Sequence, residues 1–140
     1  MIIDGYSFDS QKEADFYTRF VKGCPFDFEV HPRFILEELK DIGDARIGQI
    51  SYTPDVVVYH NHTISHVYDV KNSFGIYGID AAAKIRFRLF AGIYHIPVEA
   101  VVVRKHDFKV IAQGVTVQRK DPLIKKDFNY QWQEATGYGG

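Results

Sequence analysis

Three residues near the middle of the chain carry the strongest chemical signal. Pro54-Asp55 lies in a segment that reads as a strand over residues 49–59, and Asp69-Val70-Lys71 ends a second strand over residues 63–71. Side chains alternate along a strand, so Asp69 and Lys71 share a face while Val70 points into the core. The turn at His60-Asn61-His62 folds the two strands together and can bring Asp55 beside Asp69. Two carboxylates that close repel unless positive charge lies between them. A divalent cation held by carboxylates, a backbone carbonyl and water meets that need, and magnesium or manganese suits such oxygen ligands. A bound ion of this kind acidifies a water and offsets charge building on a phosphate. Lys71 stands on the same face, suited to position the attacking water or the scissile phosphate.

These residues need a scaffold. Ile2 to Phe8 reads as a small hairpin turning at Asp4-Gly5. Ser10 and Glu13 have capping-box spacing, and Ala14, Phe16, Tyr17, Phe20 and Val21 form the apolar stripe of a first helix. Residues 26–36 read as one long strand, and residues 37–48, polar with two glycines, as a mobile loop. Val56-Val57-Val58 is apolar on both faces, the mark of a central strand. Residues 72–78 read as a loop. Asp80 to Tyr94 is a second helix with Ile85, Leu89 and Ile93 on one face. Val98 to Val103 is a fourth strand, and residues 109–118 a fifth, at the edge. The order predicts an α/β or α+β fold, a mixed sheet of about five strands flanked by helices. Residues 1–126 read as a single domain, and residues 127–140 as a tail that is loosely held unless a partner docks it.

Composition narrows the class. The net charge is only −1, but residues 1–70 carry −6 and residues 71–126 carry +7. Such asymmetry suits a protein that holds cations with one half and phosphates with the other; chance clustering is the bland alternative. Cys24 is the only cysteine, so no internal disulfide forms, which fits a reducing, cytoplasmic setting. The first residues lack the basic-then-apolar pattern of a signal peptide, and no apolar run has the length of a membrane span.

Pro54-Asp55 followed by Asp69-Val70-Lys71 resembles the PD-(D/E)XK nuclease signature. Residues 8–14 resemble the first-helix motif of small phage nucleases in that superfamily, and Tyr52-Thr53-Pro54-Asp55 extends the likeness to endonuclease I-type Holliday junction resolvases. The likeness covers roughly residues 1–105. It implies a restriction-endonuclease-like core and a magnesium- or manganese-dependent endonuclease acting on DNA, four-way junctions above all, as a homodimer in the cytoplasm of a bacterial host. By the same likeness Glu13, Asp55, Asp69 and Lys71 are the catalytic set. Glu13, Asp55, Asp69 and the Val70 carbonyl hold the metal, and Lys84, Arg86 and Arg88 contact DNA phosphates.

Each assignment has a plainer rival. Glu13 also fits a structural cap, Asp69–Lys71 a surface ion pair, and the α-helical cations a solvated face. His60, His62 and His66 invite a metal reading, but His60-Asn61-His62 reads better as a turn. Trp132 and the C-terminal tyrosines can stack on bases, though packing against the body or a partner suits them better. Rival functions are a restriction-type, transposon-end or repair endonuclease, a non-catalytic DNA-binding module, and a phage structural protein.

Overall fold

The computed structural model describes residues 1–74 and 79–138. Strands β1 (Ile2–Ile3) and β2 (Tyr6–Ser7) pair around Asp4-Gly5, both with positive φ, as the turn dipeptide predicts. Helix α1 (Gln11–Phe16) starts at Ser10, whose hydroxyl accepts the Glu13 N–H at 3.1 Å. A π-helical turn, Tyr17–Val21, continues it.

The predicted strand over residues 26–36 is two strands, β3 (Asp27–Val30) and β4 (Phe34–Glu37). The break falls at His31-Pro32, where His31 takes φ +56° and Pro32 has no N–H for a ladder. The predicted loop over residues 37–48 is a hairpin, β5 (Lys40–Ile42) and β6 (Ala45–Ile47), turning at Asp44 and a positive-φ Gly43. The strand expected over residues 49–59 also divides, into β7 (Ile50–Tyr52), which pairs with β4, and β8 (Val56–His60). Pro54 again marks the interruption. A turn with Asn61 and His62 at positive φ leads to β9 (Thr63–Val70).

Of the predicted loop over residues 72–78, residues 75–78 lie outside the described residues. Helix α2 (Ala81–Tyr94) is capped by the Asp80 carboxylate, which accepts the Ala83 N–H. Strand β10 (Val98–Val103) follows, then β11 (Phe108–Gln113) and β12 (Leu123–Lys125).

The fold is mixed α+β around a six-stranded mixed sheet ordered β12-β11-β10-β9-β8-β3. Among the described strands only β9 and β10 run parallel, because α2 carries the chain across between them. The fifth predicted strand is therefore internal, with β12 outside it. Alternation along β8 sends Val56 and Val58 to the α1 side and Val57 to the α2 side. On the α1 side Phe16 meets Tyr68, Phe108 and Phe128. On the α2 side Phe87 and Phe90 pack against Tyr52.

Helix α2 does not bury the expected stripe. Its buried residues are Phe87, Phe90 and Ala91, while Ile85 and Ile93 are 62% and 44% exposed. The larger rings displace the isoleucines from the core. Gly114, at φ +88°, lets the end of β11 close on this helix: a Cβ there would lie 2.3 Å from the Phe87 carbonyl oxygen.

The C-terminal segment is not loosely held over its described length. Phe128, Tyr130, Ala135 and Thr136 are buried, and Trp132–Ala135 forms a 3-10 turn. Tyr130 and Phe128 join a buried polar cluster: the Tyr130 hydroxyl donates to Glu99 at 2.7 Å, and His66 Nδ1 lies 2.6 Å from the same carboxylate. His66 Nε2 donates to the Tyr130 carbonyl at 2.9 Å. Among the described residues no buried side-chain polar atom lacks a partner. No described helix is long and apolar enough to cross a membrane.

Candidate active site

The chemistry-bearing residues gather where β8 begins and β9 ends. The register that pairs Val56 with Tyr68 gives way to a bond from the Asp55 N–H to the Tyr68 carbonyl, at 3.0 Å. Asp55 thus sits beside Val56 opposite Tyr68, out of the regular register, and the Asp69 charge lies near enough to act on its carboxyl. One residue on, the Val70 N–H turns to the Asp55 carboxylate instead, at 2.6 Å. It is the Val70 amide, then, that meets Asp55.

Helix α1 brings Glu13 to the same place. The Ser10 hydroxyl accepts from the Glu13 N–H and donates to its carboxylate at 3.0 Å, so the cap also aims the acid. The capping role and the site role coexist in one residue. Glu13 and Asp55 side chains are 12% and 18% exposed, partly buried but still open to solvent.

Burial pushes the Asp55 carboxyl up to about 9, reinforced by its hydrogen bond with Glu13 and by the charges of Asp69 and Glu13, against the pull of the Val70 amide. Burial pushes Glu13 upward too, but hydrogen bonds from Asp55 and Ser10 and the neighbouring His31 outweigh it and hold Glu13 below its ordinary range. A carboxyl raised this far keeps its proton at neutral pH, which relieves the repulsion between the two acids.

Asp69 and Lys71 share a face as alternation requires, and their ion pair is 2.9 Å long. The Tyr52 hydroxyl donates to the other Asp69 oxygen at 2.7 Å. Burial and the Asp69 charge hold that phenol well above its usual range, so it stays a donor. The Lys71 ammonium also lies 5.6 Å from the centre of the Phe87 ring.

A cleft of about 330 Å³ opens beside this pair, lined by Tyr52, Asp69, Lys71, Asp80 and Arg86 among others. The three α2 cations do not line one surface. Arg86 faces this cleft, whereas Lys84 and Arg88, one helical turn apart, border a separate hollow with Gly114 and Thr116. None of the three is in an ion pair among the described residues.

Sequence reasoning passes over His31. Its backbone N–H donates to the Asp55 carbonyl at 3.1 Å, and Nε2 lies 3.6 Å from Glu13 and 3.8 Å from Asp55. Glu13, His31 and Asp55 present donor atoms all within 4.8 Å of one another. Pro32 was the available signal: it breaks the strand at the level of Asp55. His66, by contrast, is sealed against Glu99 and Tyr130, away from these residues.

No curated protein and no solved structure matches the chain. A family model does match residues 1–110, a span that takes in Glu13, His31, Asp55, Asp69, Lys71 and helix α2, and the chain belongs to that family, described as Protein of unknown function (DUF1064).

Proposed function

We propose that this protein is a metal-dependent endodeoxyribonuclease on a restriction-endonuclease-like core, hydrolysing phosphodiester bonds in branched DNA, the four-way junction above all. The observation that carries the reading is that α1 brings Glu13 to Asp55 at the head of β8, with the Asp69–Lys71 pair at the neighbouring end of β9 acting on Asp55 through its charge. Acids this close, one held protonated by its neighbours, form a donor set suited to a hard divalent cation. Glu13, Asp55 and Asp69, with the Val70 carbonyl, would hold magnesium or manganese. When bound, such an ion supplies an acidified water and charge compensation at phosphate.

The protein's own groups do the rest. Holding an ion would require Asp55 to release its proton to solvent, and the Val70 amide keeps its carboxylate oriented. Tyr52 fixes Asp69, and Asp69 fixes the ammonium of Lys71, which takes the scissile phosphate or the attacking water. Arg86, beside the same cleft, neutralises a flanking phosphate, and Lys84 and Arg88 reach one further along the strand.

A four-way junction has near two-fold symmetry, which a two-fold homodimer with two such sites matches. Exposed apolar side chains support a dimer: Leu39, Ile42, Ile47 and Ile50 line an arm on which every residue from 38 to 50 is exposed. A two-stranded hairpin standing free is marginal in water.

The deciding assay incubates the protein and magnesium with labelled four-way junction, linear duplex and single strand. Paired, nearly symmetric nicks in the junction are expected, with calcium or chelator giving none. Asp55→Asn, Asp69→Asn and Lys71→Ala should each abolish cutting while leaving binding and fold largely intact. Full activity in any of these folded variants overturns the reading, and equal cutting of duplex at one sequence redirects it to a restriction-type enzyme.

A further inference from the structure

The least explained side chain at the site is His31. It comes from the β3–β4 corner, an element separate from those carrying Glu13 and Asp55. Its backbone is held in the left-handed region by the bond to the Asp55 carbonyl, and Phe8 braces its ring edge-on, with centroids 5.8 Å apart. Here Nε2 stands 3.6 Å from Glu13 Oε1 and 3.8 Å from Asp55 Oδ1, beyond hydrogen-bond range for both. Two ligands of one ion, each about 2.0–2.3 Å from it, lie about 3 Å apart when adjacent and just over 4 Å when opposite. The observed separations fall between those limits. Drawing the imidazole onto an ion shared with the two acids therefore needs each separation to close by only about half an ångström.

We propose that His31 is a metal ligand through Nε2 and that it makes this a manganese-preferring centre. Carboxylate and water suit magnesium and manganese alike, whereas imidazole nitrogen favours transition ions over magnesium. The inference rests on the divalent-metal reading of Glu13 and Asp55, and adds to it the identity of the ion.

The test is metal binding by the full chain, without DNA. Titration calorimetry compares manganese and magnesium in wild type and in His31→Asn. Asparagine tolerates the left-handed backbone but is too short to replace Nε2. Wild type should bind manganese more tightly than magnesium. His31→Asn should weaken manganese roughly 10- to 100-fold and magnesium only about twofold. Pulsed electron paramagnetic resonance of the manganese-loaded wild type should show imidazole nitrogen coupling, and the variant should lose it. A thermal melt of the metal-free variant within a few degrees of wild type confirms that the fold survives. Manganese binding without nitrogen coupling, or an equal loss of both ions in the variant, overturns the role of His31 and leaves the carboxylate centre standing. Absence of any divalent binding by wild type overturns the centre itself.

Discussion

At the scale of the residue, the site stores unfavourable electrostatics that can be measured without substrate. Asp55 in the native state is pushed up to about 9, against an ordinary value of 3.8. Between those values the folded protein keeps a proton that the unfolded chain has released. Stability of the metal-free protein should therefore fall as pH rises through this window. Glu13, held below its ordinary range, works in the opposite sense but at lower pH, where its contribution is lost on acidification. Asp55→Asn keeps the shape and removes the titrating group. At pH 8 in chelator it should raise stability by about 1–3 kcal/mol, roughly 3–8 °C in Tm. Millimolar magnesium should raise wild-type Tm and leave the variant nearly unmoved. Melts from pH 5 to 9, with chelator and with magnesium, check all three effects. A wild type indifferent to magnesium, with the variant melting lower, would show that Asp55 is an ordinary hydrogen-bonded residue.

At the scale of the element, two joints position the site. Helix α2 seats against β11 only because Gly114 has no side chain. Gly114→Ala meets both a backbone contact and a positive φ, and should cost at least about 2 kcal/mol. Displacement of α2 would also pull Arg86 and the Phe87 ring from Lys71, so junction cleavage should fall along with stability. The C-terminal segment is the second joint. Phe128 packs against Phe16, Tyr68 and Phe108, so Phe128→Ala should cost about 3–5 kcal/mol in urea unfolding. A loss under about 1 kcal/mol would mean that the segment is only loosely attached.

At the scale of the whole molecule, the near-neutral net charge conceals two opposed halves, and the exposed apolar arm stands with little cover. If the arm seats a second copy, light scattering at micromolar concentration should give a dimer, and Ile42→Asp with Ile47→Asp should give a folded monomer. Paired nicking of a four-way junction should then give way to single, uncoordinated nicks. Junction binding should weaken steeply between about 50 and 200 mM salt, since phosphate neutralisation releases counterions. Lys84→Ala and Arg88→Ala should each reduce that salt slope by about one.

Local rules were enough for much of this protein. Chain-local signals made the hairpin at Asp4-Gly5, the Ser10 cap, the turn at Asn61-His62, strand β10 and the shared face of Asp69 and Lys71 legible, because each depends on neighbours within a few residues. The tight turn likewise made the antiparallel pairing of β8 with β9 readable, though not the shift that sets Asp55 opposite Tyr68. What the chain alone did not reveal was decided at longer range. Two prolines divided strands that alternation alone would have run through, and only the resulting corner carries His31 to Asp55. Ring volume chose Phe87 and Phe90 over Ile85 and Ile93 for the core, a competition that helical periodicity does not weigh. The C-terminal segment is held by partners distant in sequence, Glu99 and His66 for Tyr130 and Phe16 for Phe128. The protonation of Asp55 likewise depends on burial and on a carboxylate from another element, which exist only once the sheet and α1 have met.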